Sequence, residues 1–348
     1  MAWSRVTAGA LRAAAGRHRW IRAAAAFALL PVMCSHGAAA VASPGQGAAA
    51  GVYAGPADPS AVRRFERWSG EPISDVVEFT ARDTWLEISQ PWFINQVWSA
   101  GSTTFRDQTL VLSVPMLPGD GGSLAWGARG YYNWHFRQLA EGLRDQKLAS
   151  RTIVRLGWEF NSGWAAWSSA GDPKAYAEFF RQVVTTMRAV APSLRFDWCP
   201  SEGLGQFWGV PGGLAAAYPG NRYVDYIGMD VYDQAWGPNG SIISNPAMRW
   251  QQLVNEPGGL AWQAQFAARH DKPMSFPEWA LTKRDDGHGG DDDPYFIQEM
   301  HKWITSHNVA YQSYFELDAP DGLHSLESGL FPAAAAAFRQ EFGSGARA

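Results

Sequence analysis

The sequence predicts a single-domain (β/α)8 TIM barrel, and three observations predict it. Eight short β-rich runs recur along the chain, and longer segments with apolar residues at helical spacing lie between them. The first run, Gly51-Val52-Tyr53-Ala54-Gly55-Pro56, lacks the glycine-rich phosphate turn that an open doubly wound sheet normally carries there. The eight runs are residues 51–55, 76–80, 109–116, 152–160, 194–200, 224–232, 273–279 and 309–315. Crossovers of this kind dictate parallel pairing and a right-handed path.

Each helical segment has its own justification. Residues 173–190 place Tyr176, Phe179, Phe180, Val183, Val184 and Met187 on one stripe, and Gly171-Asp172-Pro173 supplies the start, with proline in the first turn. Segments 134–148, 248–269 and 294–306 repeat the pattern. No composition shift marks a second domain, so one barrel is expected over residues 51–345.

Ahead of the barrel, residues 43–50 read as a Gly/Ala/Ser linker with nothing to bury. Residues 1–42 carry Arg5, Arg12, Arg17, Arg19 and Arg22, no acid, an apolar stretch near residues 23–33 and then Ala40-Val41-Ala42. That order reads as a secretory signal, too short in its apolar part to span a bilayer, so a secreted or periplasmic protein without stable membrane insertion is expected. All 33 acidic residues lie beyond that segment, against 29 basic residues in the whole chain, which makes the remainder acidic and argues against nucleic acid as a partner. Only Cys199 would remain after cleavage, so no internal disulfide can form and stability must come from the core of a monomer.

Two glutamates carry the chemistry. Arg155-Leu156-Gly157-Trp158-Glu159-Phe160-Asn161 closes the fourth run and Pro273-Met274-Ser275-Phe276-Pro277-Glu278-Trp279 closes the seventh. Side chains at the C-terminal ends of barrel strands line the active face, so the two are expected to face one another across the mouth. Hydrolysis of a glycosidic bond needs one carboxylic acid to protonate the leaving oxygen and one carboxylate to act at the anomeric carbon. Aromatic walls raise a carboxyl pKa by desolvation, so Trp158, Phe160 and the like charge of Glu278 are expected to raise that of Glu159, giving a bell-shaped pH–rate profile.

Arg-x-x-x-Glu-x-Asn with Trp164 and Trp167 downstream, then Ile227-Gly228-Met229-Asp230-Val231-Tyr232, then Lys272-Pro273 leading to Glu278-Trp279, resembles the clan A glycoside hydrolases, and glycoside hydrolase family 26 in particular. The likeness runs over the barrel from Gly51-Val52-Tyr53-Ala54-Gly55 onward. It implies a retaining, cofactor-free hydrolase of β-linked polysaccharide, with mannan, β-1,3-xylan or mixed-linkage glucan as the family's substrates. It makes Glu159 the acid/base and Glu278 the nucleophile, with Arg155, Asn161, Asp230 and Tyr232 at matching positions and expected to bind substrate; Tyr232 is also expected to hydrogen-bond Glu278. One position departs: Trp158 stands where family 26 has histidine and other clan A families asparagine. An indole donates one hydrogen bond and accepts none, so it cannot reproduce their contacts.

Of the 18 tryptophans, Trp126, Trp164, Trp167, Trp208, Trp236 and Trp279 fall in loops near strand ends, where indole faces can stack on pyranose rings. Trp158, Trp164, Trp167, Trp236 and Trp279 are taken as substrate-binding, whereas Trp134, Trp250, Trp262 and Trp303 fall in helical patterns and are expected in the core. Glu316, after the eighth run, is a further candidate for binding a sugar hydroxyl. The acid-rich stretch from Arg284 to Asp293 matches no calcium loop and is expected to be a solvated loop, with no metal site. Endo action is expected from an open aromatic cleft. Two other readings stay open: a carbohydrate-binding barrel without turnover, and a transglycosylase or hydrolase of the producer's own exopolysaccharide.

Overall fold

The computed structural model describes residues 47–343. The expected signal segment, residues 1–42, and residues 43–46 of the expected linker lie outside the described residues. The barrel begins earlier than expected, because Ala49 and Ala50 already pair with Tyr311 and Gln312.

Eight strands close on themselves in chain order: β1 (Ala49–Tyr53), β2 (Asp75–Phe79), β3 (Thr109–Val114), β4 (Thr152–Leu156), β5 (Arg195–Trp198), β6 (Tyr226–Gly228 and, after a break, Val231–Tyr232), β7 (Met274–Ala280) and β8 (Val309–Phe315). Both pieces of β6 pair with β7, and β8 returns to β1 from Ala49↔Tyr311 to Tyr53↔Phe315. Every pairing in this sheet is parallel, and the fold is the (β/α)8 barrel that the sequence predicts.

Strand alternation sorts the apolar side chains into two cores. Val52, Val76, Leu110, Leu112, Val154 and Phe196 point outward into the large core shared with the helices. Tyr53, Val77, Val111, Ile153, Tyr226 and Tyr311 form a small core inside the barrel. The rest of the interior is polar. Ser275 Oγ donates to Asp197 Oδ2 at 2.5 Å, Tyr311 reaches the same oxygen, and a side chain on Gly228 would strike Asp197 and Cys199.

Among the described residues are ten α-helices: α1 (Pro59–Ser69), α2 (Trp85–Ser89), α3 (Trp92–Gln96), α4 (Leu124–Ala128), α5 (Asn133–Asp145), α6 (Pro173–Val190), α7 (Pro246–Asn255), α8 (Leu260–His270), α9 (Pro294–Ser306) and α10 (Pro332–Phe342). Four of the longer ones start alike. Asp58-Pro59, Asp172-Pro173, Asn245-Pro246 and Asp293-Pro294 each offer a side-chain oxygen to the first free N–H groups, while proline occupies a position whose N–H would have no partner.

Three expectations need correction. The single helix expected over residues 248–269 is two, because Pro257 has no N–H and Gly258 turns left-handed against the Gly203 backbone, which a side chain would meet at 2.7 Å. Strand–helix pairing is incomplete: β5 and β6 are joined by 3-10 turns at Gly205–Phe207 and Gly213–Ala217, without an α-helix. Trp134, expected in the core, is 59% exposed, whereas Trp250 is buried and Trp262 and Trp303 pack partly into the core.

Candidate active site

The fourth strand ends sooner than its apolar run suggests. β4 stops at Leu156, and both Gly157 (φ 57°) and Glu159 (φ 49°) adopt left-handed conformations. For a residue with a long side chain that region costs on the order of 1–3 kcal/mol, and such strain persists where surroundings over-determine it. Here Glu159 N donates to Cys199 O at 2.7 Å, and Asn161 fastens the same turn to the loop after β5. Asn161 donates to Ser201 O (3.0 Å) and Gly203 O (3.1 Å) and accepts from Ser201 N (3.0 Å). The turn aims the half-buried Glu159 carboxyl into the barrel mouth, where Trp164 Nε1 donates to its Oε2 at 2.7 Å.

Glu278 arrives by a different device. Phe276 pairs with Gln312 and Trp279 with Tyr314, so β7 carries one residue more than β8 across this stretch. That bulge shifts the alternation, letting both Ser275 and Glu278 face the interior while Trp279 faces the helices. Tyr232 Oη donates to Glu278 Oε2 at 2.8 Å, and Arg155 forms an ion pair with Oε1. Arg155 has no exposed surface; it also pairs with Asp230, and Nη1 donates to Ser113 Oγ at 3.1 Å. Burial opposes its charge, but Asp230 and Glu278 outweigh that and push its pKa well up.

The two carboxyls therefore differ electrostatically. Burial, and then the charge of Glu278, raise Glu159 to about 7, with Trp164 and Arg155 pulling the other way. Burial and the charge of Glu278 also push the Tyr232 phenol well up, which keeps its hydrogen available to donate.

Both carboxyls line one cavity of about 530 Å³, walled by Tyr53, Phe79, Trp158, Trp164, Tyr232 and His324. A second cavity of about 670 Å³ shares Tyr53, Phe79, Arg82 and Trp158 with it and runs on past Leu86 and Trp92. Trp158 is 5% exposed, meeting Phe79 edge-on at 5.4 Å and Trp167 at 4.8 Å, so it serves as cleft wall. Arg82 lies over the Trp164 ring at 4.6 Å.

Several residues expected to touch substrate do not reach the cleft. Arg155, Asp230 and Asn161 are fully buried and act through other residues. Trp167 is buried, its Nε1 donating to Trp158 O at 2.7 Å. Trp279 is buried on the outer face, donating to Gln312 at 2.5 Å and packing on Phe338 and Phe342. Glu316 accepts from Ser325 Oγ (2.5 Å), Leu326 N (2.9 Å) and Glu327 N (2.9 Å), and so folds the loop after β8. Trp236 is 43% exposed but lies outside both cavity linings, stacked on His288. The acid-rich stretch is less solvated than expected: Asp293 caps α9 and joins Asp233 in holding the buried Arg249, and Asp292 accepts from Ala333 N and Ala334 N. Among the described residues no group of three or more His, Cys, Asp or Glu is placed to hold a metal.

Tyr53, Phe79, Arg82, Asp321 and His324 line the cleft without having been singled out in the sequence. Tyr53 and Phe79 end β1 and β2, so the strand-end rule that found the glutamates reaches them too. Arg82, Asp321 and His324 lie in loops and carry no comparable signal.

The model of glycosyl hydrolase family 26 matches residues 127–258, from α4 past the acid/base candidate and β6 to the turn after α7. A mannan endo-1,4-β-mannosidase of Bifidobacterium adolescentis is 25% identical over 219 residues, covering 60% of this chain and 20% of that protein. The chain thus spans about a fifth of the length of that curated relative. Among solved structures, an endo-β-1,4-mannanase double mutant of Cellulomonas fimi superposes with a TM-score of 0.59 at 18% identity, covering 86% of this chain and 72% of that one. The GH26C structure from a Muricauda species gives 0.57 at 14% identity, with 84% of each chain covered. The resemblance to family 26 read from the sequence is borne out over residues 127–258, a span that ends before Glu278, and the structural likenesses support the barrel fold.

Proposed function

We propose that this chain, a (β/α)8 barrel with a segment matching glycosyl hydrolase family 26, is an exported, endo-acting, retaining hydrolase of β-linked polysaccharide, with β-1,4-mannan as its leading substrate. The observation that carries the reading is that Glu159 and Glu278 line one cavity with unlike partners. Glu159 has a neutral donor and a pKa raised to about 7, which suits an acid that must hold a proton near neutrality and later accept one. Glu278 is balanced by the Arg155 cation and steadied by the Tyr232 hydroxyl, which suits a carboxylate that attacks.

The step sequence follows from those roles. Glu278 attacks the anomeric carbon while Glu159 delivers its proton to the glycosidic oxygen; the carbon–oxygen bond breaks and a glycosyl ester forms on Glu278. Glu159, now ionised, takes a proton from water, whose oxygen displaces Glu278 and regains the starting configuration. The second cavity favours endo action, because it gives the polymer room to continue beyond the reacting unit. Export rests on the first 42 residues. Among the described residues no helix is long and apolar enough to cross a membrane.

Reducing-end release from β-mannan, β-1,3- and β-1,4-xylan, mixed-linkage and β-1,3-glucan and bacterial exopolysaccharides tests the substrate class. Glu159→Gln and Glu278→Gln are each expected to lose at least about a thousandfold on polymer. On an aryl glycoside with a good leaving group, Glu159→Gln should keep the first step, whereas Glu278→Gln should lose it. Full activity in Glu278→Gln refutes the assignment. Trp158 supports a second reading in which the preferred polymer is not mannan, since an indole at that position accepts no hydrogen bond; the same panel decides it.

A further inference from the structure

Three large aromatic side chains stand exposed on one short corner of the chain, outside both cavity linings: Trp126 (48%), Tyr131 (59%) and Trp134 (59%). Single exposed aromatics are ordinary, but several on one rigid segment keep a large apolar area in water without an internal reason. The corner is rigid. Ser123 Oγ accepts from Trp126 N at 3.2 Å, Tyr131 N donates to Trp126 O at 3.3 Å, and Ser123 N donates to the Tyr132 hydroxyl at 3.2 Å. Trp126 and Tyr131 meet edge to face at 4.5 Å, so each holds the other's ring upright. Trp134 lies on the buried His135 at 3.6 Å, and Trp85 stacks on that imidazole at 4.3 Å.

That last contact ties the corner to the cleft. Trp85 opens α2, whose next residues, Leu86 and Glu87, line the second cavity. Arg129 and Arg137 of the same stretch are also exposed, and no acid occurs between Gly121 and Ala140. Preordered indole and phenol faces on a stretch that carries cations and no acid suit a neutral ligand with flat C–H faces and many hydroxyls, because the rings lose little freedom on binding.

We propose that this corner is a second carbohydrate-binding platform, separate from the catalytic cleft, that holds another stretch of the β-linked polysaccharide the cleft takes. The proposal rests on the glycoside hydrolase reading above.

Affinity electrophoresis in gels containing galactomannan, and in parallel each other polymer of the panel, tests it with the full chain. The comparison is between Glu278→Gln and the same variant carrying Trp126→Ala, Tyr131→Ala and Trp134→Ala. Retardation by the polymer that wild type hydrolyses should fall at least about fivefold in apparent association constant. In the active background, the three substitutions should leave kcat/KM on a soluble aryl oligosaccharide within about twofold and lower the rate on insoluble polymer severalfold. Undiminished retardation on a polymer that is hydrolysed overturns the platform and leaves the glycosidase reading standing. So does a self-association seen by sedimentation that vanishes with the three substitutions while retardation persists, which would make the corner a protein interface. Wild type that neither hydrolyses nor is retarded by any polymer overturns both.

Discussion

At the scale of single residues, the division of labour between the two glutamates comes from burial and unlike partners: burial and the charge of Glu278 raise Glu159, whereas Arg155 and Tyr232 serve Glu278. Trp164 donates a neutral N–H to Glu159, and such a bond stabilises the ionised form. Trp164→Phe removes the donor, so the pKa of Glu159 should rise and the alkaline limb of the kcat/KM profile should move to higher pH, measured on a soluble substrate. A limb that stays put means that Trp164 does not set the proton on Glu159. Tyr232→Phe removes a hydrogen bond to a charged group, worth about 1.5–3 kcal/mol to the fold, so the thermal midpoint should drop, and kcat should fall because Glu278 loses a group that orients it. The glutamates were legible because strand ends on a barrel face the mouth. Arg155 and Asp230 were found as motif positions but given the wrong task, since a motif carries no information about burial. With neither side chain exposed, both support Glu278 from beneath.

At the scale of elements, irregularities position the chemistry. The bulge in β7 turns Glu278 inward, the left-handed turn after β4 presents Glu159, and the break between α7 and α8 lets Gly258 press on Gly203. Gly258→Ala meets two penalties, a left-handed φ of 84° and backbone 2.7 Å from the new carbon. A loss of about 2 kcal/mol or more in denaturant unfolding is expected, where Gly142→Ala inside α5, with nothing within 4 Å of the new carbon, should be neutral or slightly stabilising. The start of α6 was legible because Asp172-Pro173 states its own mechanism, whereas Asn245-Pro246 was passed over and its helix placed two residues late. The α7–α8 break was missed because apolar spacing continues through it, although Pro257-Gly258 marked it. The bulge left no such mark, since it depends on the register against β8.

At the scale of the whole molecule, acidic groups are buried in several places, and their linkage to folding sets the pH response. Glu78 on β2 is 1% exposed and accepts from Ala57 N at 2.9 Å; burial raises its carboxyl to about 7. Glu316 is raised to about 7 by burial as well, and Asp75 to about 6. A carboxyl whose folded pKa lies above its unfolded value keeps its proton longer in the native state, so the native state binds more protons and stability falls as pH rises. That contribution is complete below the unfolded values near 4 and is lost as pH passes through 6 to 7. His135, lowered to about 4 by burial, works in the opposite sense and costs stability below about pH 6.5, where the unfolded imidazole gains a proton. Between pH 6 and 8 the carboxyls dominate. A group at about 7 loses about 1 kcal/mol over that interval, so the midpoint of thermal unfolding should be lower at pH 8 than at pH 6. Glu78→Gln keeps the shape and an acceptor for Ala57 but cannot ionise, so it should flatten part of that slope. A Glu78→Gln protein with the parent's full pH dependence would mean that Glu78 is already ionised in the native barrel at pH 6.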